Sequence, residues 1–156
     1  MTAPILTLRV SRRAVGAVVL ADEAVTFRDG RYLRSNRESA LTGLSRYVQM
    51  LLALTKPTTV VVDCPHHPGS STERLFIALG DLLRNHGMMV RSVTTGDLLS
   101  AFGVTGLDSR LELRRIAEPL FSELSTFEGK VKPYVIDAAA SALYAESHAA
   151  LGESPP

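Results

Sequence analysis

The sequence contains a single cysteine, Cys64, and has no long hydrophobic run. One cysteine excludes an internal disulfide framework and is typical of a protein in a reducing compartment. No stretch approaches the roughly 20 consecutive apolar residues that a membrane-spanning helix needs. Arg9, Arg12 and Arg13 interrupt the first apolar run, which therefore does not resemble a secretory signal. We predict a cytoplasmic protein that does not enter the membrane.

The sequence also lacks an excess of charge of either sign. The net charge is +1 in 156 residues, so no global field draws the protein toward nucleic acid or a membrane surface. The arginines are nevertheless concentrated, because seven of the 14 lie between Arg9 and Arg37. Arginine suits two-pronged phosphate contacts better than lysine does. The concentration is thus compatible with phosphate binding as well as with solvated strand faces and loop tips.

Hydrophobic residues make up 46% of the sequence and charged residues 21%, as in ordinary soluble globular proteins. The length predicts a single domain, which we assign to residues 1–150, followed by a short flexible tail over 151–156.

The hydrophobic pattern predicts three opening strands and then alternating helices and strands. The strand-like runs lie at residues 5–10, 14–21, 24–34, 58–63 and 88–93. An Asp29-Gly30 turn signal falls inside or beside the third run. Helices are expected between the later strands and after the last one. A strand–helix–strand–helix–strand unit gives parallel strands, so we predict an α/β fold with a mixed five-stranded sheet and helices on both faces.

Capping and proline signals mark where these helices begin and end. The signals are capping boxes at Ser35 with Glu38 and Ser70 with Glu73, a cap formed by Thr94 with Asp97, a cap at Asp108, a break near Pro119, and a first turn containing Pro133. The helix after Asp108 is predicted to carry Leu111, Ile116, Leu120 and Leu124. The alanine-rich final helix is expected to pack closely on the sheet.

Four segments, in this order and spacing, resemble the RuvC-type Holliday-junction resolvases, a family with the ribonuclease H-like fold. They are LTLRVSRRAVGAVVL (6–20), VVVD (60–63), MVRSVTTGDLLSAFGVTGLDSRLELRRIAEPLF (89–121) and VIDAAASALYAE (135–146). The resemblance covers residues 4 to 148. It implies a ribonuclease H-like domain, nucleic acid as a partner, a role in DNA recombination and repair, and a homodimer.

The resemblance also implies a catalytic site in which carboxylates hold two Mg²⁺ ions. Asp63 matches the acid at the end of the fourth strand, where the family usually has glutamate. Asp137 matches one acid of the last helix, but its possible partner is Ala140 or Tyr134, so one carboxylate is missing. Where the family has an aspartate on the first strand, this sequence has Ser11, or Arg9 in an alternative alignment.

These departures predict a degenerate metal site. Ser11 offers only a neutral oxygen, and Arg12 and Arg13 bring positive charge near the expected ion. Asp63 and Asp137 could hold one Mg²⁺ loosely but not two. The catalytic candidates are therefore the vestigial Asp63 and Asp137, with Ser11 at the position of the missing acid.

The residues after Asp63 offer other chemistry. His66 and His67 are interpreted as surface loop residues, although one imidazole could serve as a general base or complete a metal site. Cys64 is interpreted as a buried, inert thiol rather than a nucleophile. No GxxxxGK[ST] fingerprint is present, which disfavours an ATP-using member of the fold.

Arginines at 110, 114 and 115 form a basic group on a predicted helix. Arg110 and Arg114 lie four residues apart, on one helical face. They could contact phosphate, as Arg12, Arg13 and Arg115 could, or lie on a solvated face offset by Glu112 and Glu118.

The leading hypothesis is a RuvC-like protein that binds structured DNA or RNA and has an impaired nuclease centre. Two alternatives remain open. One is an active Mg²⁺-dependent endonuclease that uses Asp63 and Asp137, and the other is a protein-interaction scaffold.

Overall fold

The chain folds into five strands and five α-helices within residues 4–33, 37–64, 68–106 and 109–150, which the computed structural model describes. The strands are β1 (Ile5–Val10), β2 (Ala14–Ala21), β3 (Ala24–Tyr32), β4 (Thr59–Asp63) and β5 (Met89–Ser92). The helices are α1 (Arg37–Thr55), α2 (Ser71–Asn85), α3 (Thr95–Ala101), α4 (Ser109–Ala117) and α5 (Lys132–Ala150). Short 3-10 segments at Glu118–Leu120 and Ser122–Leu124 separate α4 from α5.

The strands form one mixed sheet in the order β3-β2-β1-β4-β5, which confirms the predicted fold class. β1, β2 and β3 pair antiparallel, whereas β4 pairs parallel with both β1 and β5. The parallel register places Arg9 directly opposite Asp63. Two charged residues of opposite sign, near the ends of β1 and β4, are therefore neighbours.

Helices cover both faces of the sheet, and alternation along the strands divides the core between them. On β1, Leu6, Leu8 and Val10 pack in the cluster that contains the buried residues of α1 and α2. On β4, Val61 packs on the opposite face, with residues of α3, α4 and α5. Arg9 alternates with Leu8 and Val10 along β1, and Asp63 lies two residues after Val61 on β4. The side chains of Arg9 and Asp63 therefore point to this second face, toward α4 and α5.

Asp29-Gly30, the turn signal noted inside or beside the third run, lies inside β3. The chain reverses at Asp22 and Glu23, whose φ angles are +51° and +66°. Two consecutive left-handed residues give the twist that a two-residue hairpin requires. Gly30 has a different function, since a Cβ at this position would lie 2.7 Å from Val131 Cγ2.

The predicted helix boundaries agree with the structure where residues are described. Ser70 and Thr94 accept hydrogen bonds from the backbone N–H groups of Glu73 and Asp97, and α1 ends at Thr55. The helix before Pro119 stops at Ala117 and continues as a 3-10 segment. Ser35 and Asp108 lie outside the described residues, as do residues 151–156.

Of the four apolar residues expected along the helix after Asp108, Leu111 and Ile116 lie on α4, whereas Leu120 and Leu124 lie in the 3-10 segments that follow. Leu111, Ile116 and Leu120 are exposed, and only Leu124 is buried. The face toward the core consists of Leu113 and Ala117, four residues apart, because the face is set by how α4 packs on α5. Leu111 and Ile116 lie on the outer side of α4, and Leu120 is exposed in the 3-10 segment that follows.

The alanine-rich helix α5 lies directly on β1 and β2. Ala138, Ala139 and Ala140 are fully buried. At the closest approach, a Cβ on Gly16 would lie 2.3 Å from the carbonyl carbon of Tyr134. Small side chains on both elements allow this contact, which fixes the height of Asp137 above the sheet. No helix in the described part of the chain is long and apolar enough to cross a membrane.

Candidate functional site

The candidate site lies where β1 and β4 end beneath α4 and α5. Asp63 comes from β4 and is 1% exposed, and Asp137 comes from α5 and is fully buried. Arg9, on β1, is 7% exposed. Arg110 and Arg114 extend from one face of α4 toward these residues. We call these five side chains the buried ion-pair cluster.

Asp137 accepts hydrogen bonds from two arginines. Arg114 binds it with two prongs, from Nε to Oδ1 at 2.9 Å and from Nη2 to Oδ2 at 2.8 Å. Arg9 Nε donates to Oδ2 at 3.1 Å. Paired N–H donors in one plane match both carboxylate oxygens, which makes this the strong form of ion pair. Both oxygens of Asp137 are therefore engaged.

Asp63 has a similar set of partners. Arg110 Nη2 donates to Oδ1 at 3.0 Å, and the Ser141 hydroxyl donates to Oδ2 at 3.2 Å. Arg9 Nε lies 3.8 Å from Oδ2. Because Ser141 is four residues after Asp137, one face of α5 supplies a carboxylate and a hydroxyl to the same site. Arg9 lies between the two carboxylates and contacts both.

Three guanidinium groups and two carboxylates leave the cluster with one excess positive charge. Buried charges are costly unless they are paired and hydrogen-bonded. The hydrogen bonds to Asp137, the largest cause, raise the pKa of Arg114. The arrangement therefore favours the charged form of Arg114 and holds both carboxylates in place.

The fold of this chain matches that of several solved structures. RuvC from T. thermophilus, in complex with a Holliday junction, superposes with a TM-score of 0.77 at 13% sequence identity, covering 99% of each chain. The fold is that of the RuvC-type Holliday-junction resolvases. A yeast mitochondrial Holliday junction resolvase aligns at a TM-score of 0.61 and 12% identity, over 96% of this chain and 85% of its own.

The fowlpox virus resolvase, bound to Holliday junction DNA, aligns at a TM-score of 0.57 and 10% identity, over 96% and 99% of the two chains. No protein-family model and no curated sequence matches this chain. The resemblance seen in the order of the four sequence segments is thus confirmed by the fold, at identities too low for sequence comparison to detect.

Two candidates for the missing first-strand acid of a RuvC-type site lie in different places. Ser11 is in the β1–β2 turn, where its hydroxyl donates to the Ala14 carbonyl and accepts from the Ala14 N–H. Arg9 contacts both acidic residues. The alternative alignment therefore places an arginine where a RuvC-type site is expected to carry a carboxylate.

The other residues proposed from the sequence fall into three groups. Arg12, Arg13 and Arg115 are exposed, and none of them belongs to the buried ion-pair cluster. Cys64 lies in the core on the α1 and α2 face, and burial raises the pKa of its thiol to about 12. His66 and His67 lie outside the described residues.

The residues of the site do not fit the Mg²⁺ ions that the RuvC-type resemblance implies. Mg²⁺ needs near-octahedral oxygen ligands at about 2.0–2.1 Å. The oxygens of Asp63 and Asp137 instead face guanidinium N–H groups and one hydroxyl. Across the described ranges, no three histidine, cysteine, aspartate or glutamate side chains come together to hold a metal ion.

Sequence reasoning did not predict that Arg9 and Arg114 would bind Asp137, or that Ser141 would bind Asp63. One signal was available, because Arg9 is a charged residue inside an otherwise apolar strand and such a residue needs a partner. The alternation of side chains along β1 and β4 could have predicted that Arg9 and Asp63 lie on the same face of the sheet. The contact from α4 depends on tertiary packing.

Proposed function

We propose that this chain is a nucleic-acid-binding protein with a RuvC-type fold in which an ion-pair cluster replaces the metal centre. It binds structured DNA or RNA without cleaving it. The observation that supports this most strongly is the coverage of both Asp63 and Asp137 by three arginines. The proposal makes the chain a pseudoenzyme of the resolvase fold.

The physical reason is competition between arginine and metal for the same oxygens. A divalent ion would have to displace guanidinium groups that already satisfy these carboxylates, and it would join a cluster with excess positive charge. Like charges a few ångströms apart repel strongly when they are shielded from water. Arg9 is also anchored by its own strand and by the Val10 carbonyl, to which its Nη1 donates at 3.3 Å. Metal binding is therefore disfavoured by both charge and geometry.

Exposed arginines around the site supply the proposed contact surface for nucleic acid. Arg12 and Arg13 lie in the turn that follows β1, and Arg115 lies on α4 next to Arg114. Arg110 and Arg114, also predicted to contact phosphate, already donate hydrogen bonds to Asp63 and Asp137, respectively. T. thermophilus RuvC and the fowlpox virus resolvase were each solved with a Holliday junction. We therefore propose a branched duplex as the preferred ligand.

The test compares binding and cleavage of a four-way DNA junction, a linear duplex and an RNA duplex, with Mg²⁺ or Mn²⁺ present. We expect junction binding without cleavage. The double variant Arg12→Gln/Arg13→Gln should lower the slope of log affinity against log salt by about 1.8, at 0.9 for each lost contact. Arg74→Gln is the matched control, since Arg74 is an exposed arginine on α2, on the other face of the sheet.

Two results would contradict the proposal in different ways. Cleavage that disappears in folded Asp63→Asn and Asp137→Asn variants would establish the alternative, a metal-dependent nuclease. Absence of binding to every nucleic acid at about 50 mM salt, where phosphate contacts are strong, would leave the interaction scaffold.

We also propose that the chain forms a homodimer, as the resemblance to RuvC-type resolvases suggests. A groove of about 420 Å³ between α1 and α2 is lined partly by the apolar residues Leu41, Leu44 and Leu82. Ile77 on α2 is 53% exposed, and Leu54 on α1 is 62% exposed. Sedimentation equilibrium should give twice the mass of the chain, and Ile77→Glu should shift it toward the monomer. A monomer at all accessible concentrations would contradict the dimer.

A further inference from the structure

The strand β3 forms one edge of the sheet, and part of its backbone points away from its only strand neighbour, β2. The Leu33 N–H donates to the Arg13 carbonyl at 2.7 Å. In an antiparallel pair, the positions that bond to the neighbouring strand recur at every second residue. The outward N–H and C=O groups therefore belong to Arg28, Gly30 and Tyr32. No backbone group elsewhere in the described part of the chain hydrogen-bonds to them.

This outward edge is accessible along most of its length. Thr26, Arg31 and Tyr32 are exposed, and Arg28 and Gly30 are partly exposed. The strand at the other edge of the sheet, β5, has only four residues, compared with nine in β3. An extended segment that adds to an open edge is held by main-chain hydrogen bonds. The β3 edge therefore gives an added strand the longer pairing length.

The first outward position of β3 is already occupied by a carboxylate of the same chain. The register of β2 and β3 shifts between Val19 and Leu20. Beyond this shift, the Val25 N–H points away from β2 and donates to Glu123 Oε1 at 3.3 Å. Glu123 lies in the 3-10 segment Ser122–Leu124. A glutamate side chain thus takes the place of a strand neighbour at Val25, and the open part of the edge begins after this residue.

The open part of the edge carries cationic side chains that are held by aromatic rings. Arg28 lies over the Phe127 ring, 5.9 Å from its centroid, and Arg31 lies over the Tyr47 ring at 4.5 Å. The two arginines are three residues apart on a strand, so they lie on opposite faces of the sheet. Asp29, the only acidic residue of β3, accepts a hydrogen bond from the Tyr47 hydroxyl at 2.6 Å. An added strand would therefore meet a cation on each of its faces.

We propose that the β3 edge binds an acidic segment of a partner protein, which adds to the sheet as an extra strand alongside residues 26–32. Alternating N–H and C=O groups match the backbone of another strand, whereas the phosphates of a nucleic acid accept hydrogen bonds but do not donate them. Charged side chains also discourage pairing between two copies of the same edge. An acidic strand instead places its carboxylates near Arg28 and Arg31. This surface lies outside the buried ion-pair cluster, and the inference is independent of the proposed function.

Amide hydrogen exchange of the full chain, followed by NMR, tests the edge with and without a peptide. In the free protein, the three outward amides should exchange at least about tenfold faster than the intervening amides that bond to β2. The probe is a peptide of alternating glutamate and threonine with the nine-residue length of β3. It should slow the exchange of the outward amides. The matched control peptide has every second backbone nitrogen methylated, retains the same charge and should not bind, because it cannot pair with the edge.

Variants of the chain separate backbone pairing from charge. Tyr32→Pro removes one outward N–H, and proline is tolerated on an edge strand where the N–H faces solvent. It should weaken peptide binding by about tenfold, near the upper value for one hydrogen bond, whereas Tyr32→Ala keeps the N–H and should bind as the wild type does. Arg28→Gln/Arg31→Gln should weaken binding roughly fivefold and reduce its dependence on salt. Arg74→Gln, on α2, is the matched control for charge.

Several results would overturn the inference. The outward amides would exchange slowly in the free protein if the edge were already covered. Failure of the acidic peptide to slow their exchange at about 1 mM, where weak complexes form, would exclude the proposed partner. Equal binding of the methylated peptide, or equal binding by Tyr32→Pro and Tyr32→Ala, would exclude strand pairing. Slower exchange of these amides with the four-way DNA junction, and not with the peptide, would assign the edge to nucleic acid.

Discussion

Arg9 and Asp63 face each other on the parallel strands β1 and β4, and Arg9 Nε lies 3.8 Å from Asp63 Oδ2. The same nitrogen donates to Asp137 at 3.1 Å. A single cation thus bridges the acid of the fourth strand and the acid of the last helix. In the proposed function, the cation that holds these two elements together is part of the chain and not a bound ion.

Replacing Arg9 with aspartate should make the thermal stability of the protein depend on a bound metal ion. Arg9→Asp changes the cluster from three arginines and two aspartates to two arginines and three aspartates, so its excess charge becomes negative. We expect lower stability without metal and a rise in Tm of roughly 5 °C or more when Mn²⁺ is at about a hundred times its Kd. Differential scanning calorimetry with Mn²⁺ or with chelator measures this.

The control for that experiment is Arg9→Gln, which removes the guanidinium without adding a carboxylate. It should be destabilised but should not respond to Mn²⁺. A wild-type protein whose Tm rises with Mn²⁺ as much as that of Arg9→Asp would argue that Arg9 does not take the place of a metal.

Removing the negative charge of Asp137 should be strongly destabilising. Asp137→Asn leaves Arg9 and Arg114 buried without the carboxylate that both contact. Breaking a buried ion pair from one side costs about 3–5 kcal/mol, so we expect a fall of this size in the free energy of unfolding by urea. Asp81→Asn is the matched control, because Asp81 is 70% exposed and its contact with Arg84 is long, at 4.0 Å. Equal effects of the two substitutions would contradict a tightly paired cluster.

The close contact between β2 and α5 predicts that replacing glycine with alanine at two positions changes the stability of the protein in opposite directions. A Cβ on Gly16 would lie 2.3 Å from backbone atoms of Tyr134, so Gly16→Ala must displace α5, which carries Asp137. We expect the free energy of unfolding to fall by about 1–3 kcal/mol, the usual cost of overpacking. Gly43→Ala, on α1, meets nothing within 4 Å and should stabilise by roughly 0.5–1 kcal/mol. Two effects of the same sign, measured by urea unfolding, would be inconsistent with this packing.

The thiol of Cys64 should be unreactive in the folded protein. Burial raises its pKa to about 12 from an ordinary value of 9.0, so the thiol remains protonated at pH 8. Because the folded pKa is the higher one, the thiol's contribution to stability is present below pH 9 and is lost as the pH rises toward 12. Alkylation by iodoacetamide at pH 8, followed by mass spectrometry, should be far slower in native protein than in urea. Equal rates would show that the thiol is accessible.

Much of the fold could be predicted from the sequence, because the signals were local. Alternating apolar residues predict strands, and capping boxes and prolines mark helix ends. Each of these signals depends on residues only a few positions apart in the sequence. The gap between the runs at 14–21 and 24–34 located the hairpin turn, whose residues Asp22 and Glu23 are in the left-handed conformation, whereas the turn signal at Asp29-Gly30 lies inside β3. The buried face of α4 could not be predicted from the sequence, because that short helix has apolar residues on more than one side and only Leu113 and Ala117 are buried.

The site was only half predictable. Asp63 and Asp137 could be found because an acid at the end of a buried strand, or inside an alanine-rich helix, is conspicuous. The contacts that join α4 and α5 to the site could not, since Arg110 is 47 residues from Asp63 and Arg9 is 128 residues from Asp137. Pairs so distant in sequence are set by how helices pack on the sheet.

The central claim is that arginines have taken the place of metal ions at Asp63 and Asp137. Titration of Mn²⁺ into the wild-type protein, followed by electron paramagnetic resonance of the free ion, tests it most directly. The account predicts that the free Mn²⁺ signal rises as it does in buffer alone, with no stoichiometric binding. Binding of one or two Mn²⁺ ions per chain, lost in Asp63→Asn, would contradict it.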